Sequence, residues 1–424
     1  MKHILLFGAG KSATCLIQFL ERTAINRNWQ LVVAESNLEL AESKLSDTSR
    51  SIAVQVSVED QQQRDDLISK ADVVISLLPP ALHYLVAASC IQWKKHLLTA
   101  SYLDDRIQAL APDIKENGLL FLCEMGLDPG IDHMSAMQLI HSIREAGGSI
   151  HAFRSHTGGL VSPENDDNPW HYKISWNPRN VVLAGSAGAK YLEDGQVVTQ
   201  SYQELFRNVN EVAIKDLAVL AWYPNRDSLS YIPLYGLDGI TTFIRTTLRY
   251  PDFIRGWAPV VQAGLTDDKK PVTAKSIGEW SAPIQPLTNG INRPLLAYLG
   301  LFDDIPLPPS VHTSADVLQY LLETRLAMRP GDKDMIVMLH EIAYTDANGR
   351  TGNVTSSLVV HGEDHLRTAM AKTVGLPVGL AAVLILEEKI PLRGLHIPIL
   401  PEIYTPVLKE LACHDISFAE TETH

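Results

Sequence analysis

The start of the chain carries the feature that most constrains its fold. A short apolar run, Ile4 to Phe7, leads directly into Gly8-Ala-Gly-Lys-Ser-Ala13, and Thr14 to Arg22 then has the apolar periodicity of a helix. A strand, a turn of the form G-x-G-x-x-A and a helix are together typical of a dinucleotide-binding Rossmann unit, because the glycines permit a tight turn and a close pyrophosphate. The cofactor contacts predicted in this turn are Gly8, Gly10, Lys11, Ser12, Ala13 and Thr14.

The end of the second predicted strand bears on the choice of cofactor. Gln30 to Ala34 predicts that strand, and Glu35-Ser-Asn37 follows it. An acid at this place normally accepts hydrogen bonds from the ribose hydroxyls and repels a 2′-phosphate, which favours NAD over NADP. Ser36 and Asn37 could still bind a phosphate. The sequence therefore predicts Glu35, Ser36 and Asn37 at the cofactor and leaves NADP and NAD both open.

Further apolar runs follow at the spacing of β–α units, at residues 52–58, 71–78, 96–101 and 118–123. This alternation predicts a doubly wound parallel sheet, in which ligands bind at the carboxyl ends of the strands. Ser and Asp at strand ends also commonly cap turns, so a purely structural role stays open for them. The additional cofactor contacts predicted at these ends are Ser57, Val58, Leu77, Leu78, Ala100 and Ser101.

The stretch Met125-Gly-Leu-Asp-Pro-Gly-Ile-Asp-His-Met134 separates this half from the rest of the chain. Asp128, with Tyr102 at another strand end, is the predicted proton-transfer group, and Leu127 and Asp128 are also predicted cofactor contacts. His133 is the second choice for proton transfer. Asp132 and His133 are better explained as the cap and anchor of the helix that begins the second domain.

The second half predicts an α+β domain. Strand patterns occur at 150–156, 180–184, 191–199 and 210–222, and a hairpin is predicted at 334–344 and 351–361 around an Asn-Gly turn. Helices and prolines dominate between residues 235 and 329. A helix is predicted from His365 to about Val374, with another beginning at Pro377. The predicted domains are 1–128, rejoined by about 390–424, then 129–234 with 332–389, and a mostly helical insertion at 235–331.

Composition excludes several classes of function. A net charge of −13 over 424 residues argues against a nucleic-acid-binding surface. The four cysteines are scattered without metal or disulfide spacing, which predicts no metal site and a reducing environment. No targeting segment or membrane span is predicted, since the most apolar late stretch contains Pro377. The protein is expected to be cytoplasmic, with small-molecule partners.

A set of motifs spread over nearly the whole chain resembles saccharopine dehydrogenase of the glutamate-forming type, also called saccharopine reductase. The motifs lie at Gly126–Met134, Ser155–Leu160 with Pro163-Glu164, Asp167–Pro169 with Tyr172–Trp176, Tyr223–Ser228, Arg245–Tyr250, Ala371–Pro377 and Pro401–Tyr404. The resemblance implies an α/β fold, with an N-terminal Rossmann domain and an α+β substrate and dimerisation domain that carries a helical insertion. It also implies a homodimer and an NADP(H)- or NAD(H)-dependent reaction in lysine metabolism. In that reaction, glutamate and α-aminoadipate semialdehyde form an imine that is reduced to saccharopine.

A tricarboxylate substrate calls for arginine, whose planar guanidinium binds carboxylates with two hydrogen bonds. Arg226 and Arg245 are the candidates, although Arg226 could instead pair with Asp227 or Asp167. Trp176 either covers the nicotinamide as a cofactor contact or belongs to the core. The complete set of predicted substrate contacts is Ser101, Tyr102, Asp128, Arg226, Arg245, Thr246 and Thr247.

This chain departs from the family pattern at two places. Thr157 stands where the fungal enzymes carry a cysteine, so no thiol takes part in acid–base chemistry there. Glu35-Ser-Asn37 stands where NADP-using relatives have an arginine, which puts the NADP preference in question.

Two other functions stay open. One is a related imine-reducing dehydrogenase, such as carboxynorspermidine or lysine 6-dehydrogenase. The other is a non-catalytic nucleotide-sensing protein, since a fold does not fix a function. The joint presence of Tyr102, Asp128, Arg226 and Arg245 favours catalysis.

Overall fold

The computed structural model describes residues 1–423, which form two compact units. The first contains Met1–Ser142 and Leu366–Ser417, and the second contains Ile143–His365 and the end of the chain from Phe418. The strands are β1 His3–Phe7, β2 Gln30–Glu35, β3 Ser51–Gln55, β4 Val73–Ser76, β5 His96–Thr99, β6 Leu120–Leu122, β7 Ser149–Val161, β8 Ala189–Glu193, β9 Gln196–Gln200, β10 Asn210–Val212, β11 Leu220–Pro224, β12 Arg226–Asp227, β13 Thr242–Arg249, β14 Asp334–Thr345, β15 Thr351–His361, β16 Gly394–His396 and β17 Ala419–Thr423.

The helices are numbered in the same way along the chain. They are α1 Thr14–Arg27, α2 Leu38–Glu42, α3 Gln61–Ile68, α4 His83–Gln92, α5 Asp105–Gln108, α6 Ala111–Glu116, α7 Ile131–Glu145, α8 Pro178–Val182, α9 Tyr202–Leu205, α10 Tyr231–Leu234, α11 Pro251–Gln262, α12 Ile277–Trp280, α13 Arg293–Tyr298, α14 Ser314–Arg325, α15 Ala369–Leu386 and α16 Pro401–Ala412. Short 3₁₀ turns occur at Lys11–Ala13, Pro80–Leu82, Pro163–Asn165 and Ala282–Leu287.

The first unit is built on a seven-stranded sheet in the order β16-β6-β5-β4-β1-β2-β3, with every pair parallel. The central strands β1 and β4 are short, mostly apolar and buried except at His3, as a sheet covered on both faces requires. This arrangement confirms the predicted doubly wound Rossmann sheet. The late strand β16 joins it beside β6, as expected of a chain segment that returns to the first domain.

Helix α15 corrects two predictions. It belongs to the first unit rather than the second, and it is one continuous helix through Pro377 rather than two. The reason is packing: Gly375 and Gly379 bring α15 so close to α1 that a Cβ atom on Gly375 would lie 2.9 Å from Leu16 Cβ. The helix is long and apolar enough to cross a membrane by length and composition, but 89% of that stretch is buried inside the protein.

The second unit contains a ten-stranded mixed sheet whose main path is β10-β11-β13-β7-β14-β15-β17. Strands β14 and β15 form the predicted antiparallel hairpin. The last strand, β17, pairs with the exposed edge of β15, so the chain from Phe418 does not rejoin the Rossmann domain as predicted. Residues 149–161 and 242–249 run parallel at the centre of the sheet, and they place several of the candidate residues side by side.

The helical region begins later than predicted. The sequence predicts residues 242–249 to lie in the helical insertion, but they form the central strand β13. The helices α11 to α14 follow between residues 251 and 325. These helices enclose an apolar core that includes Trp170, Phe253 and Trp257. Residues 178–182 form the short helix α8 instead of the strand predicted at 180–184, because Asn177 caps its start and Pro178 fits the first turn.

Candidate active site

The two glycines of the first turn are needed for different reasons. Gly8 has a φ of +100°, and a Cβ there would lie 2.9 Å from the Leu77 carbonyl oxygen, so the protein's own backbone requires glycine. At Gly10 a Cβ would meet no atom within 4 Å. Packing therefore does not explain Gly10, whereas a ligand lying against the backbone does. This openness fits a dinucleotide pyrophosphate.

The turn continues through Lys11–Ala13 into α1 without a side-chain cap at either start, since Gly10 and Ala13 have none to offer. Uncapped N–H groups at a helix start form a site for an anion. Ser12 lies in this 3₁₀ turn, and Thr14 donates a hydrogen bond from its hydroxyl to the Lys11 carbonyl at 3.3 Å. The predicted residues of the turn are thus assembled where a pyrophosphate would be held.

Glu35 supports the same turn from the end of β2. One of its carboxylate oxygens accepts a hydrogen bond from the Ala9 N–H at 2.8 Å, and the other accepts from the N–H and the hydroxyl of Ser36, both at 2.8 Å. Burial raises the pKa of Glu35, but these hydrogen bonds outweigh it and hold the pKa below its ordinary value. The carboxylate is therefore ionised and fixed. Asn37 uses its side-chain oxygen to cap α2 through the Leu40 N–H.

Lys44, which the sequence analysis did not single out, lies against the glycine turn. Its ammonium donates to the Gly10 carbonyl at 2.5 Å and to the Thr14 hydroxyl at 2.9 Å. Burial lowers the pKa of this ammonium to about 8. No motif marks the residue, because it follows a short helix and reaches the turn only through the fold.

The strand-end residues predicted at the cofactor differ in their surroundings. Leu77 and Leu78 follow β4 directly beside Gly8. Ser57 donates its backbone N–H to Gln63, and the Val58 carbonyl accepts from the buried Arg64 at 2.5 Å. Ala100 lies against Gly126, where a Cβ would come within 3.1 Å of the Ala100 Cβ, and Leu127 is the next residue in the chain. All of these remain predicted cofactor contacts.

Tyr102 and Asp128, the two residues predicted to transfer protons, lie together. The Tyr102 hydroxyl donates a hydrogen bond to Asp128 Oδ1 at 2.8 Å. The two residues come from chain segments that follow β5 and β6, which are neighbours in the sheet. A phenol bonded to a carboxylate can pass a proton along the pair, which is the arrangement that acid–base chemistry at an amine requires.

Ser101 is held by a buried histidine that the sequence analysis missed. His83 Nε2 lies 2.7 Å from the Ser101 hydroxyl, and its Nδ1 lies 2.8 Å from the Ser76 hydroxyl. Burial lowers the pKa of His83 to about 4, so the ring is neutral near pH 7. It therefore orients Ser101 as a hydrogen-bond partner rather than as a charge. The only sequence signal was its position directly after the Pro79-Pro80 turn.

His133 is buried and is linked through Glu124 to the residue that follows Tyr102. Its Nε2 lies 2.8 Å from Glu124 Oε2, and the other oxygen of Glu124 accepts from the Leu103 N–H at 3.0 Å. The structural explanation of His133 therefore has direct support. Asp132 lies inside the first turn of α7 rather than before it, and there it accepts a hydrogen bond from the Gly130 N–H at 2.6 Å.

In the second unit, the strand β13 separates the predicted substrate residues. Successive side chains of a strand point to opposite faces, so Arg245 and Thr247 share one face and Thr246 lies on the other. On that other face Thr246 Oγ1 lies 2.7 Å from His156 Nδ1. All three remain predicted substrate contacts, with the hydroxyl of Thr246 on the face opposite Arg245 and Thr247. Thr157 lies directly beside Thr247 on the neighbouring strand.

The two arginines proposed for the substrate have different environments. Arg245 is buried, with its guanidinium carbon 4.5 Å from the centre of the Tyr231 ring, and its backbone N–H donates to the Ser228 hydroxyl. Arg226 is exposed and has a φ of +53° on the short strand β12. Asp167, one of its possible partners, is paired instead with Lys173 and Arg329.

Near the end of β13, a third arginine lies in the core. Arg249 is only 4% exposed, and its guanidinium carbon lies 5.3 Å from the ring centres of both Tyr172 and Phe253. Trp176 donates from its indole N–H to the Tyr172 hydroxyl at 3.2 Å and packs against the helical core. The core explanation of Trp176 is thus supported, and its contact with the cofactor stays a prediction.

A Rossmann sheet with an open glycine turn, and a tyrosine–aspartate pair at its strand ends, define a nicotinamide-dependent dehydrogenase. Family comparison is more specific. Residues 4–122 match the saccharopine dehydrogenase NADP binding domain, and residues 126–416 match the saccharopine dehydrogenase C-terminal domain. The chain belongs to the saccharopine dehydrogenase family. This confirms the resemblance inferred from the motifs, the oxidoreductase class and NADP as the cofactor.

Individual relatives agree with this membership. The chain is 35% identical to saccharopine dehydrogenase [NADP(+), L-glutamate-forming] of Saccharomyces cerevisiae, over 97% of this chain and 96% of that protein. It is 33% identical to mitochondrial alpha-aminoadipic semialdehyde synthase of Mus musculus over its whole length, which spans 48% of that longer protein. The solved apo structure of the Saccharomyces cerevisiae L-Glu-forming saccharopine dehydrogenase superposes with a TM-score of 0.88 at 32% identity, covering all of both chains.

Proposed function

We propose that the protein is an L-glutamate-forming saccharopine dehydrogenase that uses NADP(H). It would interconvert saccharopine with L-glutamate and L-2-aminoadipate 6-semialdehyde through an imine. The structural observation that carries this proposal is the 2.8 Å hydrogen bond between Tyr102 and Asp128 at the carboxyl ends of the Rossmann strands. Support also comes from the end-to-end similarity to a yeast enzyme of that name.

The reaction asks the protein for orientation and proton transfer. The bound nicotinamide supplies or accepts the hydride. Asp128 takes up the proton that leaves the secondary amine when saccharopine is oxidised, and Tyr102 orients the carboxylate by its hydrogen bond. In the opposite direction the same pair returns a proton to the nitrogen. Ser101, held by His83, is the hydroxyl placed beside this pair.

The substrate brings carboxylates, and arginines are suited to hold them. Arg226 and Arg245 would each bind one, with Thr247 as a hydroxyl donor on the face of β13 that carries Arg245. Thr246 is the remaining predicted contact, and its hydroxyl lies on the opposite face of the sheet at His156.

An activity matrix tests the assignment. The purified protein would be assayed at the nicotinamide absorbance with saccharopine, carboxynorspermidine and lysine, each with NADP⁺ and NAD⁺. We expect turnover with saccharopine and NADP⁺. Turnover of carboxynorspermidine or lysine alone would assign the protein to a related imine-reducing enzyme, and binding of NADPH without any turnover would favour a nucleotide-sensing role.

We also propose that the enzyme is a cytoplasmic homodimer, as the family resemblance implies. In residues 1–423 the four cysteines form no disulfide, and two of them are buried, which suits a reducing compartment. Light scattering of the purified protein would give its mass, and a mass of one chain would contradict the dimer.

A further inference from the structure

The cofactor domain contains an apparent conflict of charge. Its family binds NADP, yet β2 ends in Glu35, whose carboxylate is ionised and fixed beside the glycine turn. A phosphate group adds close to two negative charges at neutral pH. A 2′-phosphate placed near Glu35 would therefore be repelled unless a cation lay close by, and Glu35-Ser-Asn37 contains none.

Lys44 lies in the position that could resolve the conflict. Its ammonium is bonded to the Gly10 carbonyl and the Thr14 hydroxyl, at 2.5 and 2.9 Å, and both partners are neutral. No carboxylate in residues 1–423 lies within 4.0 Å of this ammonium, although the charge of Glu35 acts on it from a longer distance. An ammonium has three N–H groups, so two bonds leave one for a ligand.

We infer that Lys44 is the cation that binds the 2′-phosphate of NADP(H) and so sets the preference of this chain for NADP over NAD. The inference rests on NADP(H) being the cofactor. The side chain comes from beyond α2 and lies against the glycine turn, close enough to Glu35 for the two charges to interact. Glu35 remains the support of the Ala9 N–H.

A purely structural explanation makes a different prediction. If Lys44 only ties the segment after α2 to the glycine turn, its loss would weaken NADPH and NADH binding equally, because both cofactors use that turn. If it binds the 2′-phosphate, only NADPH binding would weaken.

The test measures dissociation constants of NADPH and NADH by nicotinamide fluorescence for the wild type, Lys44→Met and Lys44→Arg. We expect Lys44→Met to raise the NADPH constant about 10- to 100-fold, the range of one hydrogen bond between charged groups, and to leave the NADH constant within about twofold. Lys44→Arg should keep most of the preference. Lys70→Met, at an exposed lysine of the same unit, is the matched control and should change neither constant.

An equal loss for both cofactors, or no loss for either, would overturn the assignment of Lys44. A wild-type protein that binds NADH as tightly as NADPH would instead refute the NADP(H) dependence of the proposed function, and the role of Lys44 with it.

Arg249 carries a second, independent inference. It is 4% exposed, its Nε atom is buried without a hydrogen bond, and its guanidinium has no carboxylate within 4.0 Å in residues 1–423. Within residues 1–423 its guanidinium donates one hydrogen bond, to the Leu248 carbonyl at 2.7 Å, and lies near two aromatic rings. A buried charge without a counter-ion is strongly unfavourable, so such a residue is expected to meet an anion.

The strand gives that anion a chemical class. Arg245, Thr247 and Arg249 alternate along β13 and therefore share one face, over a span of roughly 14 Å at about 3.4 Å per residue. Two cations at the ends of such a row, with a hydroxyl between them, match a long substrate that carries several carboxylates. We infer that Arg249 binds a second carboxylate of the amino-acid substrate, an inference that rests on the proposed function.

Arg249→Met tests this, because it keeps an unbranched side chain and removes the guanidinium with its charge and its N–H donors. We expect the KM for saccharopine to rise about 10- to 100-fold with kcat within a few-fold, and NADPH binding and melting temperature to be preserved. Arg293→Met, at an exposed arginine that also lies over a ring, is the control. A lower melting temperature with an unchanged KM would make Arg249 structural and overturn the inference, whereas a wild type inactive on saccharopine would refute the proposed function itself.

Discussion

Replacing Tyr102 by phenylalanine tests the pair that we place at the chemical step. The change removes one hydroxyl and keeps the ring, so the hydrogen bond to Asp128 at 2.8 Å is lost. Hydrogen bonds to charged groups contribute about 1.5–3 kcal/mol, which corresponds to about 10- to 150-fold in rate if the bond acts in the transition state. Asp128→Asn should have a larger effect, about 10²- to 10⁴-fold, because it removes the acid–base group.

The pair also predicts how the two changes combine. If Tyr102 acts through Asp128, the double variant should be no slower than Asp128→Asn alone, since coupled residues are not additive. The assay is steady-state kcat in both directions at saturating cofactor, with melting temperatures as a control for folding. Losses that simply multiply would show that the residues act separately, and an unchanged kcat in either single variant would refute the role given to that residue.

Three further predictions follow from local geometry. Burial lowers the pKa of His83 to about 4 from the 6.5 of the unfolded chain, so between these pH values unfolding takes up a proton. The free energy of unfolding should therefore fall by on the order of 3 kcal/mol as the pH drops from about 6.5 towards 4. Thermal melts of the wild type and His83→Gln should diverge in that window, and parallel curves would contradict the prediction. Gly8→Ala should lower the melting temperature, whereas Gly10→Ala should leave it unchanged and weaken NADPH binding, and the reverse pattern would count against the site. Thr247→Val should raise the KM for saccharopine while Thr246→Val should not, and equal effects would contradict the division of β13 into two faces.

Much of the fold is predictable from local sequence pattern. The predictions are wrong where contacts between residues distant in the chain determine the structure. The Rossmann strands and the β14–β15 hairpin were predictable from short apolar runs and turn residues. The membership of α15 was not, because it depends on a close approach between Gly375 and Leu16, residues far apart in the chain. Strand β17 was missed for a similar reason, since it pairs with the edge of β15, a strand distant from it in the chain.

The candidate site likewise contains residues that the sequence predicts and residues that it does not. The glycine turn and the strand-end pair of Tyr102 and Asp128 were predictable, because a motif and a topological rule place them. Lys44 and His83 were not, since each reaches the site only after folding. The separation of Thr246 from Arg245 was not predictable for a different reason: side chains alternate along a strand, but the sequence pattern favours a helical insertion at residues 242–249.

The most direct test of the central claim is the initial rate of NADP⁺ reduction with saccharopine as the substrate, compared with NAD⁺ and with carboxynorspermidine and lysine. The account predicts that saccharopine with NADP⁺ gives the highest kcat/KM in this set, with L-glutamate as a product. An enzyme that reduces NADP⁺ with lysine or carboxynorspermidine but not with saccharopine would contradict it.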